Sequence, residues 1–430
     1  MSTGKSGNCG WSGTIARRAS GERTGALGWW ARSASWPAWV VLGVVLCAPV
    51  VNMARGSADG GMDNAIVVRA ARTWLAGGSP YDDPHFLYLP SAVLAAVPEA
   101  VLPVEALRLV VPAVVTSLLV VGWAAALRVH GVPWRSRFAV VGLVGLAMGF
   151  APFGHLVRLG NWTAVAAAAL PLGLLAVVRG RWGAAGLVFG AAVALKPLLA
   201  PMALLFVFAR RWRELGVMVG VPVVASGGAA LVMPDPVGFF TRTLPFLARG
   251  EDRFVRLYEA SPGAVLMRVG VPEGVAVGVG VVGASVGVGC AFLRWRRGGE
   301  DGGVGAEGAR VGETGALVML SAFLVSRPSY DHYLLVVVPV LVAGVLRVGG
   351  VARSPWFWVG MVPQVPGFTW PFLEVATRRA FRDALSLCVV GGGAAWWVVA
   401  RRRVSPPQSL PVPSPGAAAP SAPPRPRARG

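Results

Sequence analysis

The sequence predicts an all-α, polytopic membrane protein of about twelve transmembrane helices. Three observations carry that prediction. Of the 430 residues 55% are hydrophobic and only 14% charged, where an ordinary soluble domain carries about a quarter charged residues. Uncharged runs near the length of a membrane span recur along the whole chain, and arginines punctuate those runs in clusters. A chain of this length would otherwise make two or three soluble domains, so the composition excludes a soluble enzyme. The 40 basic residues exceed the 20 acidic ones by 20. Because the excess is spread between apolar runs instead of forming a patch, it reads as topology and not as a nucleic-acid footprint.

Taken in order, residues 1–35 are a basic cytoplasmic tail without a small-residue cleavage pattern, and Trp36 to Val51 starts an uncleaved first span. Arginine clusters at 17/18/23, 128/135/137, 179/181, 210/211/213, 294/296/297, 347/353 and 401–403 mark the inner face. Keeping all of them inside demands an even number of crossings between neighbours. The apolar runs supply them as pairs: 36–53 with 105–127, 136–153 with 161–178, 183–196 with 197–209, 214–232 with 271–293, 314–327 with 332–346, and 354–370 with 383–400. Both termini then lie inside. The run Leu87 to Leu102 would break this parity if it crossed, so it is expected as a helix on the outer surface or only partly inserted. The tail 404–430 is rich in Pro, Ala and Ser and is expected to be disordered. The chain therefore divides into the tail 1–35, a membrane body 36–403 and the tail 404–430.

Four cysteines, at 9, 47, 290 and 388, are scattered without a C-x-x-C pair or a nearby histidine, which argues against a disulfide framework or a zinc site. Only arginines set the topology, yet it carries 14 of the 20 acids to the outer side, among them Asp59, Asp63, Asp82, Asp83, Asp331 and Asp383. His85, His155 and His332 fall there too. The functional face is expected outside.

Three outer features stand out. In the loop 54–88 the segment MDNAIVVRAARTWLAGG spaces Ile66, Val67, Ala70, Ala71 and Trp74/Leu75 as an amphipathic helix lying along the membrane. Asp63 sits in its first turn, either as an N-terminal cap or as a general base whose pKa partial desolvation raises. Lys196 is one of two lysines in the chain, placed beside Pro197 at the outer end of a short span. Either it snorkels to the headgroups or it meets an anion, as intramembrane cations commonly do. Arg108 and Arg158 could join it as phosphate-binding charges, or be plain interfacial arginines. The third feature is the junction Ser326-Arg327-Pro328-Ser329-Tyr330-Asp331-His332-Tyr333. Its tyrosines suit an interfacial belt. His332 beside Asp331 is either a satisfied turn histidine or one that donates to a phosphate or assists proton transfer.

These residues together resemble a family. D-x-x-x-V from Asp63, G-G-x-P-Y ending at Tyr81, F-x-Y-x-P from Phe86 to Pro90, the break Gly160-Asn161, the Lys196-containing A-x-x-K-x-P-like run and the late element ending in His332 resemble the polyprenyl-phosphate-mannose-dependent mannosyltransferases. Those are glycosyltransferase family 87, of the GT-C superfamily. The likeness spans about residues 36–400, each motif being short. It implies a GT-C fold, a lipid-linked sugar donor, an acceptor handled on the outer face, and an inverting transfer without metal or other cofactor. It also implies Asp63 as general base, Lys196 at the donor phosphate and His332 as the first histidine of the late motif. Tyr81 and Asn161 become substrate-binding candidates. The chain departs from the pattern at Asn161 for Gln, at Tyr330 for Trp, at Tyr333 for a second His, and at Glu259-Ala260-Ser261 where Asn/Gln-Ser is usual. Those departures bear on the acceptor more than on the reaction class.

The residues agree with that implication. Expelling a phosphate from a polyprenyl phosphate sugar needs one base and fixed positive charge, and no D-x-D pair calls for a metal. Asp82-Asp83, the nearest carboxylate pair, reads as a solvated turn. The expected protein is a multi-pass hexosyltransferase of the plasma membrane, in contact with membrane lipids and not with nucleic acid. Its catalytic residues would be Asp63 and His332, and its donor-phosphate residues Lys196, Arg108 and Arg158. The alternative is a transporter or lipid-linked sugar flippase, disfavoured because no inverted repeat is evident and the polar residues gather on one face instead of at the midplane.

Overall fold

The structure, a computed structural model, describes residues 28–56, 59–249, 258–297, 306–347, 349–367 and 376–400. The tail 404–430, most of the tail 1–35, and the expected outer acids Glu251, Asp252 and Glu374 lie outside the described residues. Within them the regular structure is helical, the one exception being an isolated β-bridge between Ser33 and Ser136.

In chain order the first half holds α1 (Trp36–Gly56), α2 (Met62–Leu75), α3 (Pro90–Ala100), α4 (Val104–Val129), α5 (Arg137–Gly149), α6 (Ala151–Leu159), α7 (Thr163–Val178) and α8 (Trp182–Leu195). The second half holds α9 (Ala203–Phe208), α10 (Trp212–Ala230), α11 (Leu244–Arg249), α12 (Pro262–Arg268), α13 (Glu273–Arg296), α14 (Ala306–Val325), α15 (Leu334–Ala343), α16 (Pro355–Met361) and α17 (Ala376–Ala400). Single 3₁₀ turns join several of them. Proline fixes many starts: Pro90, Pro152, Pro262 and Pro355 each occupy a first-turn position, where the missing N–H has no helical partner to lose.

Among the described residues five helices are long and apolar enough to cross a membrane: α1, α4, α13, α14 and α17 from Arg379 onward. The pair α5 and α6 makes a sixth if its 71° bend is taken as a break within one span. That count stands against the twelve crossings expected. The other expected crossings include 161–178, 183–196, 197–209 and 332–346, and each is present as an apolar helix of 10–17 residues. Proline accounts for part of the shortening, since the 197–209 run opens as a 3₁₀ turn with Pro197 at its start and Pro201 inside.

Two kinds of helix separate by burial. α7 and α15 are apolar all round and buried along most of their length, as a helix at the centre of a bundle must be. α1 and α13 instead leave Val40, Val41, Val44, Val279, Val281, Val282 and Val286 exposed. Exposed apolar helices of span length are what lipid covers. The run 87–102, expected outside the span set, is the short helix α3, which packs on α2 and α10 and buries Ala92, Val93 and Ala96.

Polar contacts tie several helix ends together. Arg347 Nε donates to the His130 carbonyl at 2.8 Å, Arg297 to the Val398 carbonyl at 2.6 Å, and the Ala34 amide to the Arg135 carbonyl at 2.8 Å. All join ends expected inside. Trp74 Nε1 donates to the Val232 carbonyl at 3.0 Å, and Arg242 binds both Asp82 and Asp235. These join ends expected outside. At the inner set the hairpin α13/α14 carries a buried ion pair, Arg294 Nε to Glu313 Oε2 at 2.7 Å, and Glu313 Oε1 also accepts from the Val351 amide at 3.2 Å.

One close backbone approach positions the outer end. Gly160 closes α6 in the left-handed region, φ 62°, and Gly61, φ 129°, precedes α2. A Cβ on Gly61 would lie 2.5 Å from the Leu159 carbonyl, and one on Gly160 would lie 2.5 Å from the Gly60 carbonyl. Only glycine fits both faces, so the start of α2 sits directly on the end of α6.

Gly160→Ala is therefore expected to lower stability by about 1–2 kcal/mol for the left-handed backbone alone, with the contact to Gly60 adding to it; the apparent melting temperature in detergent measures the loss. Glu313→Gln, which leaves Arg294 buried without its carboxylate, is expected to cost about 3–5 kcal/mol in the same measurement. Joint replacement of Arg294 and Glu313 by Met and Leu should recover most of it.

Candidate active site

The glycine contact brings two functional side chains together. Asp63 stands in the first turn of α2, but Gly61 is the N-cap and makes no side-chain cap. The Asp63 carboxylate instead faces Asn161, whose Nδ2 donates to Asp63 Oδ2 at 2.6 Å. Asn161 follows Gly160 and opens α7. Its Oδ1 accepts from the Thr163 amide at 2.7 Å, which fixes the orientation of the side chain, because a backbone N–H can only donate.

The same Oδ1 takes a second donor, Lys196 Nζ at 2.7 Å, and Lys196 Nζ also donates to Thr163 Oγ1 at 2.8 Å. Lys196 reaches this point because it ends α8 in an extended conformation, φ −149° and ψ 119°, as a residue before proline prefers. The rings of Tyr88 and Tyr333 flank the ammonium with centroids 5.6 and 5.7 Å away, a cation–π arrangement that partly replaces lost hydration. Among the described residues no carboxylate lies within 4.0 Å of Lys196 to form an ion pair. Its charge is held by neutral oxygens and aromatic faces.

These groups line one side of a cavity of about 560 Å³. Asp63, Asn161, Lys196 and Tyr88 share it with Arg158, His155, Arg327, Arg379, Asp331, His332 and Asp383, over a floor that includes Leu159, Leu198 and Phe323. Of the residues expected from the sequence, Asp63, Asn161, Lys196, Arg158 and His332 line it. Two do not. Arg108 is in the first turns of α4, next to the buried Leu107, with its Nε enclosed and lacking a hydrogen-bond partner. Tyr81, 2% exposed, is packed between Phe86 and Phe239. Burial and the nearby Asp235 carboxylate push its phenol well above its usual pKa, so it stays neutral there. Its G-G-x-P-Y segment serves to bind the loop to residues 235–242, with Ser79 Oγ donating to Asp235 Oδ2 at 3.3 Å and Arg242 reaching both Asp82 and Asp235.

At the junction 326–333, His332 is 2% exposed with neither ring nitrogen in a hydrogen bond, and Tyr330 stacks on it at 5.3 Å and 17°. Asp331 accepts from the His332 amide at 2.7 Å and bonds His155 Nδ1 at 2.5 Å, while Arg379 Nη2 donates to His155 Nε2 at 2.7 Å. The sequence reading left Tyr88, Thr163 and Arg379 out of the site. Arg378, Arg379 and Arg382 lie in the outer segment between the last two expected spans, so a cluster violating the positive-inside pattern was the available signal for Arg379. Tyr88 had one in the F-x-Y-x-P element, whereas Thr163 carried none of comparable strength, being an ordinary residue next to an apolar run.

The sequence model of glycosyltransferase family 87 matches residues 86–326, more than half of the chain. Two curated relatives match, the alpha-(1->3)-arabinofuranosyltransferases of Mycobacterium tuberculosis strains CDC 1551 / Oshkosh and ATCC 25618 / H37Rv. Each is 29% identical over 238 residues, 52% of this chain and 52% of the relative. The matched region thus spans about half the length of those relatives. No solved structure matches. That match takes in His155, Arg158, Asn161 and Lys196 of the cavity lining but not Asp63 or His332, and because it covers more than half of the chain, the chain belongs to glycosyltransferase family 87.

Proposed function

We propose that this glycosyltransferase moves a hexose, mannose in the first instance, from a polyprenyl phosphate to a hydroxyl of a lipid or glycan acceptor at the extracytoplasmic side of the plasma membrane. The observation that carries the reading is the single amide of Asn161, which holds Asp63 and Lys196 on the same cavity wall at 2.6 and 2.7 Å. A base and a cation kept close but apart by a neutral linker suit a displacement at a carbon that loses phosphate. The acceptor oxygen bonds to the anomeric carbon, its proton passes to Asp63, and the carbon–oxygen bond to phosphate breaks with the electron pair leaving on phosphate. A single displacement of this kind inverts the anomeric centre.

The developing phosphate charge needs fixed positive partners. Lys196 supplies one that has no carboxylate of its own among the described residues, and Arg158, exposed on the cavity lining one turn from His155, supplies another. The apolar floor of Leu159, Leu198 and Phe323 suits the first isoprene units of the donor, in the manner of mostly apolar ligand sites with few polar groups. Arg108 and Tyr81 take support roles in this reading, since neither reaches the cavity. The body 36–403 is the catalytic unit, with both termini on the cytoplasmic side.

The arabinofuranosyltransferase activity of the curated relatives favours a second reading of the sugar, an arabinofuranosyl group. The two are separated by supplying purified protein in proteoliposomes with labelled polyprenyl phosphomannose or the corresponding phosphoarabinofuranose, together with membrane lipid and glycan acceptors, and identifying the glycoside formed. Asp63→Asn is expected to reduce transfer by about 100-fold or more with membrane insertion and elution profile unchanged, and Lys196→Met to reduce kcat by a similar order. Wild-type turnover in Asp63→Asn defeats the assignment of the base. Movement of label between leaflets without a new glycoside defeats the enzyme in favour of a flippase.

A further inference from the structure

Arg379, His155 and Asp331 form a hydrogen-bond chain that runs away from the base and cation and ends at His332. Its direction follows from which atoms can donate. Arg379 carries only donors and its Nη2 lies 2.7 Å from His155 Nε2 and 3.2 Å from Nδ1; because Nδ1 also faces a carboxylate, which only accepts, Nε2 is the nitrogen that presents its lone pair. The proton of His155 is then on Nδ1, which faces Asp331 Oδ2 at 2.5 Å. His155 is thereby a neutral imidazole of one tautomer, oriented from both sides as second partners orient functional histidines.

The other oxygen of Asp331 faces His332. Oδ1 accepts from the His332 amide at 2.7 Å, and the ring Nδ1 of His332 lies 3.3 Å from the same oxygen. That separation is short of a well-formed bond but close enough to decide which ring nitrogen carries the proton. Tyr330 stacked on one face and Tyr333 edge-on at 5.2 Å leave the ring little room to turn. His332 is almost wholly buried and is one of the residues lining the cavity, and among the described residues its Nε2 has no hydrogen-bond partner.

We propose that Arg379, His155 and Asp331 are positioning residues that hold His332 as the neutral Nδ1–H tautomer, which leaves Nε2 as a hydrogen-bond acceptor in the cavity wall. An acceptor cannot bind a phosphate oxygen. His332 Nε2 receives instead a hydroxyl of the transferred sugar or of the acceptor, and the phosphate is left to Lys196 and Arg158. The identity of that hydroxyl rests on the glycosyl transfer proposed above; the tautomer does not. The chain also ties the N-terminal end of α17 to α6 and to the junction before α15, three elements distant in sequence.

The chain has four histidines, at 85, 130, 155 and 332, so its tautomers are readable by ¹⁵N-histidine solid-state NMR on proteoliposomes, with signals assigned by single His→Gln variants. Expected at pH 7 are Nδ1–H tautomers for His155 and His332. Arg379→Met should shift the His155 signals toward a mixture, Arg379→Lys should restore them, and Asp331→Leu should shift those of His332. His332 found as the Nε2–H tautomer or doubly protonated in the unaltered protein overturns the proposal, and because that measurement needs no variant it stands even where Asp331→Leu fails to fold. His332 signals unmoved in a folded Asp331→Leu protein overturn the role of Asp331. Transfer is expected to drop about tenfold in kcat in Arg379→Met with KM unchanged and to return in Arg379→Lys. Tautomers as expected with no transfer from any donor defeat the glycosyl reading alone.

Discussion

The hydrogen bonds of one carboxamide organise the cavity. Asn161 donates to Asp63 and accepts from both Lys196 and the Thr163 amide, so its two ends meet opposite charges without letting them meet each other. A direct Asp63–Lys196 ion pair would leave neither available to a substrate. With a neutral amide between them the carboxylate keeps one oxygen for a proton, and the ammonium keeps a donor for an anion. Gln, the residue usual at this place in the resembled family, has the same two ends on a longer stem. Asn161 offers the same donor and acceptor on a shorter stem.

That carboxamide depends in turn on three interrupted helices. Asp63 follows the Gly60-Gly61 turn, Asn161 follows Gly160, and Lys196 precedes Pro197. Each break frees backbone groups that a continuous helix would consume, and in an apolar body such breaks are tolerated only where protein or a water-filled cavity satisfies them. The breaks converge on one cavity, and α2 and α6 are in contact only because neither glycine carries a Cβ. On the far side of the body the buried Arg294–Glu313 pair pins the α13/α14 hairpin. The polar groups are thus segregated to the two ends, with the apolar α7 and α15 between them.

The sequence made the outline of this arrangement legible because polarity is expensive in an apolar body. Lys196, Asp63 and the Gly160-Asn161 break were conspicuous as polar interruptions, and all of them line the cavity. Arginine positions gave an expected inner face, and Arg347 and Arg297 each join two segments placed on that face. Span number was less legible, since an apolar run of 10–17 residues can be a crossing, a half-crossing or a buried helix, and hydropathy does not distinguish them. Arg108 and Tyr81 show the other limit. Neither lines the cavity: Arg108 has its Nε enclosed in the first turns of α4, and Tyr81 is packed into an aromatic cluster. Arg379 and His155 became partners only through the fold, at a sequence separation of 224 residues.

The excess of 20 positive charges gains a narrower meaning at the cavity. Of the three arginines lining it, two are engaged: Arg379 with His155 and Arg327 with Glu273 at 3.6 Å. Lys196 is bound by neutral oxygens and two tyrosine rings, which orient an ammonium without cancelling its charge. A carboxylate in their place would make a tighter pair and a poorer phosphate site, because an incoming anion would first have to displace it. Arginine, with its planar fork, would demand more acceptors than Asn161 and Thr163 offer, whereas the compact ammonium keeps its third donor direction free. That difference explains why a chain that uses arginine for nearly every cation has a lysine at this position.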